Sequence, residues 1–463
     1  MTTSIRSILK TSIPIVIDLA VQVVMWAVEI NLVSRISAQT MNRLYPGLGA
    51  TGVDALTAVG NVIQIIILTC SALLIFIFGA TMIISRLLGE GKTEDANHFL
   101  GQSLFTNLFA VIGISIIWYF LSPFMFSRLL GASHAVSVIG SDYFRVLSLF
   151  GPFILMNFVA IGIVRGAGDT HLSMAVGILV NSIHLVLAVL LIFGVGFFPE
   201  LGVRGSALGA GIAHSVGFLF TFSIILRGKS VLTFSWRDLW DVNMKRILTV
   251  IKMGTPITLE QLAWMVGITV VIGFTNRLGS VAAAAHIIAL TLQRLFSMLY
   301  QAFGMGALTL VSRRYGASEH EHAGRTTHLF FLLVGGIVLF IAAVTFSQAR
   351  YIAALFTSDP KVIDLGEKII KIMALVQIPK SLTYVFSYSL RGIGDNRYPM
   401  YMTLIGVLAF EMLVGFNLAF TFGLSLMGIW IAQGGDETFK LAMNAKRYRS
   451  RLKKLLLDYQ LFD

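Results

Sequence analysis

Twelve stretches of this chain are long and apolar enough to cross a bilayer, near residues 9–36, 55–85, 100–125, 136–162, 171–196, 205–226, 248–276, 282–312, 327–347, 362–390, 398–420 and 422–440. A crossing takes about 20 residues of helix. Composition agrees: 56% of residues are hydrophobic, 13% are charged, and the mean hydropathy is +0.82, far outside the soluble range. The expectation is an all-α integral membrane protein. Its N-terminal MTTSIRSILK is basic, but the apolar run behind it carries acids and no small-residue cleavage pattern, so it reads as a first span and not a removed signal. With the N-terminus in the cytoplasm, 23 Lys and Arg fall in or beside inner segments and seven in outer ones, which puts both termini inside, in the cytoplasmic (inner) membrane. This asymmetry accounts for much of the +12 charge, and nucleic acid is not an expected partner. A single cysteine, Cys70, excludes an intrachain disulfide and a thiolate metal cage.

The chain repeats itself. A shift of 242 lays Pro14, Asp18 and Arg35 on Pro256, Glu260 and Arg277. A shift of 227 lays GATMIISRLLGEGKTEDA (79–96) on GALTLVSRRYGASEHEHA (306–323), and one of 226 lays RGAGD (165–169) on RGIGD (391–395). Ordered blocks with nearly constant offsets indicate an internal duplication. Six spans per half, an even number, give both halves the same orientation, so the expected architecture is two six-helix halves related by a pseudo-twofold axis along the membrane normal, with a central cavity. The division reads 1–226 for the first lobe, 227–247 for a surface-lying linker, 248–440 for the second lobe, and 441–463 for a basic amphipathic tail on anionic lipid. In each RGxGD hairpin the arginine is expected to meet a helix C-terminal dipole, the glycines to stop the helix, and the aspartate to cap the next one. GSALGAG (205–211) reads as small-residue helix packing. The chain has no GxxxxGK[ST] loop, no HExxH and no Cys/His cluster. Neither ATP hydrolysis nor a metal site is expected, and no spacing supports an intramembrane enzyme.

Charges inside a span cost about 3 kcal/mol each at the centre and mark function or pairing. On the first span Asp18, Gln22 and Glu29 share one face, since eleven residues fall about 20° short of eclipse. Glu29 and Glu260 read as functional; for Asp18 a structural and a functional role balance. Counted from the inner ends, Glu260 and Lys380 lie at similar depth and are expected to pair, either as a fixed ion pair or as one that opens when a proton or substrate replaces a partner. His184 reads as a satisfied histidine, with a proton relay as the alternative. Gln64, Gln301 and Asn61 are candidates to line a cavity or bridge helices. Glu411 is embedded without an assigned role.

P-x₁₄-E in the first span (Pro14 to Glu29), ALTAV and AAAAH after the first outer loops, SRLLGEGKTEDA with SRRYGASEHEHA, both RGxGD hairpins, and NSIHLVLAVLLIFG in the fifth span together resemble the multidrug and toxic compound extrusion (MATE) family. The resemblance covers residues from about 9 to 450. It implies a cation-coupled exporter of amphipathic, often cationic, organic compounds that works by alternating access, as a monomer among membrane lipids, with no cofactor beyond the transported ion. The family's first-span carboxylate falls on Glu29 and its fifth-span asparagine on Asn181. Three positions depart from the pattern. Leu185, beside His184, stands where some sodium-using members have an acid. Trp264 stands where NorM-type members have a glutamate, and Lys380 where they have an aspartate. Sodium needs several oxygens in a cage, so the coupling ion is expected to be H+, with Na+ the alternative. A lipid-linked saccharide flippase of the same superfamily is the second transporter reading; it would need several Arg and Lys lining a groove at mid-depth.

Overall fold

The structure is a computed structural model that describes residues 4–236 and 243–460. Every helix or strand assigned among those residues is helical. In chain order the helices are α1 (Ile5–Ser34), α2 (Ala38–Leu44), α3 (Gly52–Gly89), α4 (Thr93–Phe124), α5 (His134–Leu149), α6 (Gly151–Gly166), α7 (Thr170–Phe193) and α8 (Val203–Leu226). They continue as α9 (Met244–Arg277), α10 (Ser280–Gly316), α11 (His320–Ser347), α12 (Ala349–Phe356), α13 (Pro360–Gly392), α14 (Arg397–Ile405, wound on through π turns to Thr421) and α15 (Ser425–Gln460).

Ten of these helices cross a membrane by length and hydropathy, and the pair α5 and α6, bent by 66°, makes one further broken span. The bend falls where Gly151 and Pro152 begin a new helix. A Cβ on Gly151 would meet Ser115 Oγ at 2.3 Å, so the break also sets a close approach to α4. The twelfth span is the first part of α15, less apolar than the others because Asp436, Glu437 and Lys440 lie within it.

Two compact units divide the chain. One contains Ile17–Ile84 and Thr93–Gly254; the other contains Met1–Val16, Ser85–Lys92 and Thr255–Asp463. In the first, α7 packs on α8 through GSALGAG: a Cβ on Gly205 would lie 2.4 Å from the Leu191 carbonyl oxygen, and one on Gly209 3.1 Å from the Ala188 nitrogen. Small residues let the two backbones touch. The connector after α8 is held to this unit by Ser230 donating to Asp169 (2.8 Å) and by Asn97 on Thr233, with Leu232 buried. Its residues 237–242, Trp240 among them, lie outside the described residues.

In the second unit α13 is the central element, packed by α10, α11, α12 and α15. Its core gathers Ile369, Ile370 and Met373 with Ala285, Phe296 and Trp430. The basic segment after residue 440 is continuous with the helix before it. It prolongs α15, and its inner face is buried: Asn444 donates to Ser387 (2.9 Å), while the Tyr448 hydroxyl accepts from Thr327 (2.7 Å) and donates to the Ala323 carbonyl. Lys446 and Arg449 keep to the exposed face.

Candidate functional site

The first unit builds a pocket for Glu29 out of four helices. Glu29, 4% exposed on α1, accepts hydrogen bonds at Oε1 from the Tyr143 hydroxyl of α5 (2.8 Å) and from Ser206 Oγ of α8 (2.5 Å). His184 Nε2 of α7 lies 3.7 Å from the same oxygen and has no hydrogen-bond partner. His184 is thus not the satisfied core histidine expected from sequence. No lysine or arginine forms an ion pair with Glu29 among the described residues; its charge is met by hydroxyls and an imidazole alone. Next to the two donors in sequence, Asp142 accepts from Tyr45 (2.7 Å) and from Arg204 Nε (2.5 Å), which ties α5 to α8 and fixes Tyr143 and Ser206 in place. Burial, and then the Asp142 carboxylate, push the Tyr45 phenol well above its ordinary range, so it stays a donor.

Asp18 belongs to a different arrangement. It accepts from the Arg165 guanidinium and from Ser173 Oγ (2.9 Å). A Cβ on Gly177 would fall 2.0 Å from Asp18 Oδ1, so only glycine lets the carboxylate reach α7 here. The stripe on α1 is therefore two separate sites, and Gln22 between them is half-buried. Asn181 turns its amide to the Gly177 carbonyl of its own helix (2.7 Å), and no contact joins it to Glu29. Asn61 is half-buried and Gln64 exposed.

The second unit corrects one expectation and repeats one finding. Glu260 does not pair with Lys380. Its Oε2 accepts from Arg391 (2.6 Å) and its Oε1 from Thr403 (3.2 Å). Depth along two helices says nothing about which faces meet, and α13 directs Lys380 toward α15 instead, 3.2 Å from Glu437. Both RGxGD arginines lie in the last turn of their helices, as expected, and each also reaches the acid that follows the repeated proline, Arg165 to Asp18 and Arg391 to Glu260. The aspartates differ between halves. Asp169 caps α7 by accepting from the Leu172 N–H, as expected, whereas Asp395 caps nothing and accepts from Arg447 (2.7 Å) and Arg451 (3.1 Å) of α15.

Lys380 opens onto a buried charge cluster that sequence reasoning missed. Lys440 of α15 lies 2.6 Å from Asp436 and 3.5 Å from Glu437, and Glu411 of α14, also buried, forms no ion pair among the described residues. The available signal was DETFK (436–440), polar residues at helical spacing inside the last apolar run. Trp264 and Gln301 are half-buried in this unit. Among the described residues no three His, Cys, Asp or Glu side chains gather as metal ligands would.

The MatE family model matches residues 44–190 and 256–417, two segments that make up most of the chain. The "Probable multidrug resistance protein NorM" of Thermotoga maritima is 26% identical over 405 residues, covering 86% of this chain and 83% of that one. The "Uncharacterized transporter YisQ" of Bacillus subtilis is 25% identical over 406 residues, 86% of this chain and 87% of its own. A solved MATE transporter in the bent conformation superimposes with a TM-score of 0.85 at 20% identity, over 98% of this chain and 96% of that one. A multidrug resistance MATE transporter of the MOP superfamily, outward-facing, gives 0.83 at 20% over 97% and 96%. Repeat, helix order and family match agree, and the chain belongs to the MatE family of multi-pass membrane transporters.

Proposed function

We propose that this transporter is a proton-coupled exporter of amphipathic, often cationic, organic compounds, oriented with both termini in the cytoplasm. One observation carries the coupling: Glu29 is buried with neutral partners, whereas Asp18 and Glu260 each hold an arginine. A carboxylate without a cation in a low-dielectric setting is neutralised by whatever mobile cation reaches it. The two hydroxyls around Glu29 and the free Nε2 of His184 suit a proton shared between carboxyl and imidazole. A sodium ion would need more oxygens, and the next helical turn of α7 offers Leu185. In the deprotonated state the site attracts an organic cation; protonation from the outer side weakens that attraction and favours release, the differential affinity that exchange requires. The 34 Phe and 18 Met of the chain suit soft packing on flat apolar substrates. Against a flippase for lipid pyrophosphates stands the pairing of Arg165, Arg391, Lys380 and Lys440 with acids, which leaves these cations committed. The test is efflux of a cationic dye from proteoliposomes with proton and sodium gradients imposed separately. Export with the proton gradient alone supports the reading; export that needs sodium at equal pH overturns it.

A further inference from the structure

The second unit contains the repeat image of the Glu29 pocket. The shift of 242 that lays Asp18 on Glu260 also lays Glu29 on Val271, and the shift of 227 lays His184 on Glu411. The last two helices of each half keep one register: a Cβ on Gly205 would meet the Leu191 carbonyl, and one on Gly428 the Leu418 carbonyl carbon. The residues after those glycines are Ser206, a donor to Glu29, and Ile429. Val271, Ile429 and Glu411 line a single cavity of about 20 Å³ with His286, Gln293, Gln433 and Trp430. That is room for one water-sized group.

The image is chemically inverted. In the first pocket hydroxyls donate to the acid. In the second, apolar Val271 and Ile429 stand at the positions of Glu29 and Ser206, and the acid stands at the position of the histidine. Glu411 is 5% exposed and forms no ion pair among the described residues. The buried charges on the helices beside it are matched among themselves, Lys380 with Glu437 at 3.2 Å and Lys440 with Asp436 at 2.6 Å, so the negative charge of Glu411 is surplus. The backbone of α9 holds the carboxylate close: a Cβ on Gly267 would lie 3.0 Å from its Oε2. His286, 3% exposed, has no hydrogen-bond partner at either ring nitrogen, and its ring stands 5.6 Å from that of Trp430, whose Nε1 also lacks one. Gln293 Oε1 receives only a long contact from Gln377, at 3.5 Å. A buried acid without a counter-charge, an imidazole nitrogen and an amide oxygen to accept, and an indole ring call for a small cation that brings several N–H donors.

We infer that this cavity is a subsite for the head group of exported amines. It takes one protonated primary amine, –NH3+, whose N–H groups donate to Glu411, His286 and Gln293 while its charge lies against the Trp430 ring. The apolar remainder of the molecule rests on Ile268 and Leu290, which also line the cavity. An –NH3+ head is the size of a water; a trimethylammonium head is much larger and is excluded. The inference rests on the reading of this protein as an exporter of organic cations, and adds to it a preference for primary over quaternary amines.

The test is the thermal midpoint of the whole detergent-solubilised protein at neutral pH and fixed ionic strength, titrated separately with n-hexylamine, n-hexanol, hexyltrimethylammonium and NaCl. The quantity read is the part of each response that Glu411→Gln removes. Hexylamine should raise the midpoint, with an apparent affinity about tenfold or more weaker in Glu411→Gln, the effect of losing a charged hydrogen-bond partner. In His286→Phe, which keeps a ring and loses the acceptor, it should weaken severalfold; this variant decides alone if Glu411→Gln does not fold. Hexanol and hexyltrimethylammonium should give no Glu411-dependent rise. A hexylamine response that is absent, or the same in parent and variants, overturns the subsite. So does a Glu411-dependent rise with the quaternary amine equal to that with hexylamine, or one with sodium in place of hexylamine. No gradient is imposed, so the outcome is independent of which ion drives export, and failure here leaves the role of Glu29 to its own efflux test.

Discussion

A carboxylate taken out of water finds a permanent cation or a proton, and the acids of α1 divide along that line. Asp18 has Arg165; Glu29 has Tyr143, Ser206 and His184. Glu29→Gln keeps shape and hydrogen bonds and loses only titration, so dye export driven by a proton gradient should fall roughly 5- to 150-fold, the span of a coupling free energy of about 1–3 kcal/mol. Its thermal midpoint should stay near that of the parent. Gly177→Ala tests the other acid: the new Cβ overlaps Asp18 Oδ1, and the misfit should cost about 1–3 kcal/mol in a thermal-unfolding comparison. Less should be lost when Asp18 is itself alanine. Outside the membrane segments, Glu200 accepts from Thr40 (2.5 Å) and Arg43 (2.7 Å), and these bonds, the Thr40 one first, hold its carboxyl below the usual range. A depressed acid stabilises above its unfolded value and loses that stabilisation as pH falls through the folded one. Amide exchange in α2 should therefore accelerate only on acidification below the ordinary carboxylate range.

At the level of elements, α13 carries two buried cations eleven residues apart, about 16 Å along its axis, and gives one to α9 and one to α15. A double-mutant cycle separates them. Arg391→Ala strands Glu260 and should cost about 3–5 kcal/mol, more than Arg391→Ala combined with Glu260→Gln, while Glu260→Gln and Lys380→Ala should add. Thermal denaturation of the three single and two double variants reads the result, and coupling between Glu260 and Lys380 would reverse the assignment. The pairing explains why this part of the site was not legible beforehand. Apolar runs and repeat offsets fix which segments span and in what order, because those are properties of a segment taken alone. Which acid meets which base depends on the rotation of each helix about its own axis and on arms as long as arginine's, so the repeat placed Asp18 beside Glu260 by number without showing that each has its own hairpin arginine. Glu29 was legible because motif and position coincided. Tyr143 and Ser206, neutral residues in apolar runs, gave no signal.

The molecule as a whole keeps the duplication in its framework and spends the difference at its second half. The acid and arginine pairs are repeated, but the second hairpin aspartate holds α15, and the second unit's interior is ionic where the first has hydroxyls and an imidazole around one acid. Lys380 was visible as a departure from pattern; the DETFK run was not singled out, and their meeting needed the fold. One feature of that cluster bears on how the protein is made. Asp436, Glu437 and Lys440 would each cost about 2.5–3.5 kcal/mol at the centre of an isolated helix, so α15 cannot partition into lipid by its own hydrophobicity. It has to wait for α13, whose Lys380 accepts Glu437, and for α14, which packs along it, and enter as the last member of a three-helix group. A glycosylation reporter after residue 440 should show poor integration when α15 is offered alone and efficient integration behind α13 and α14, with Lys380→Ala returning it toward failure.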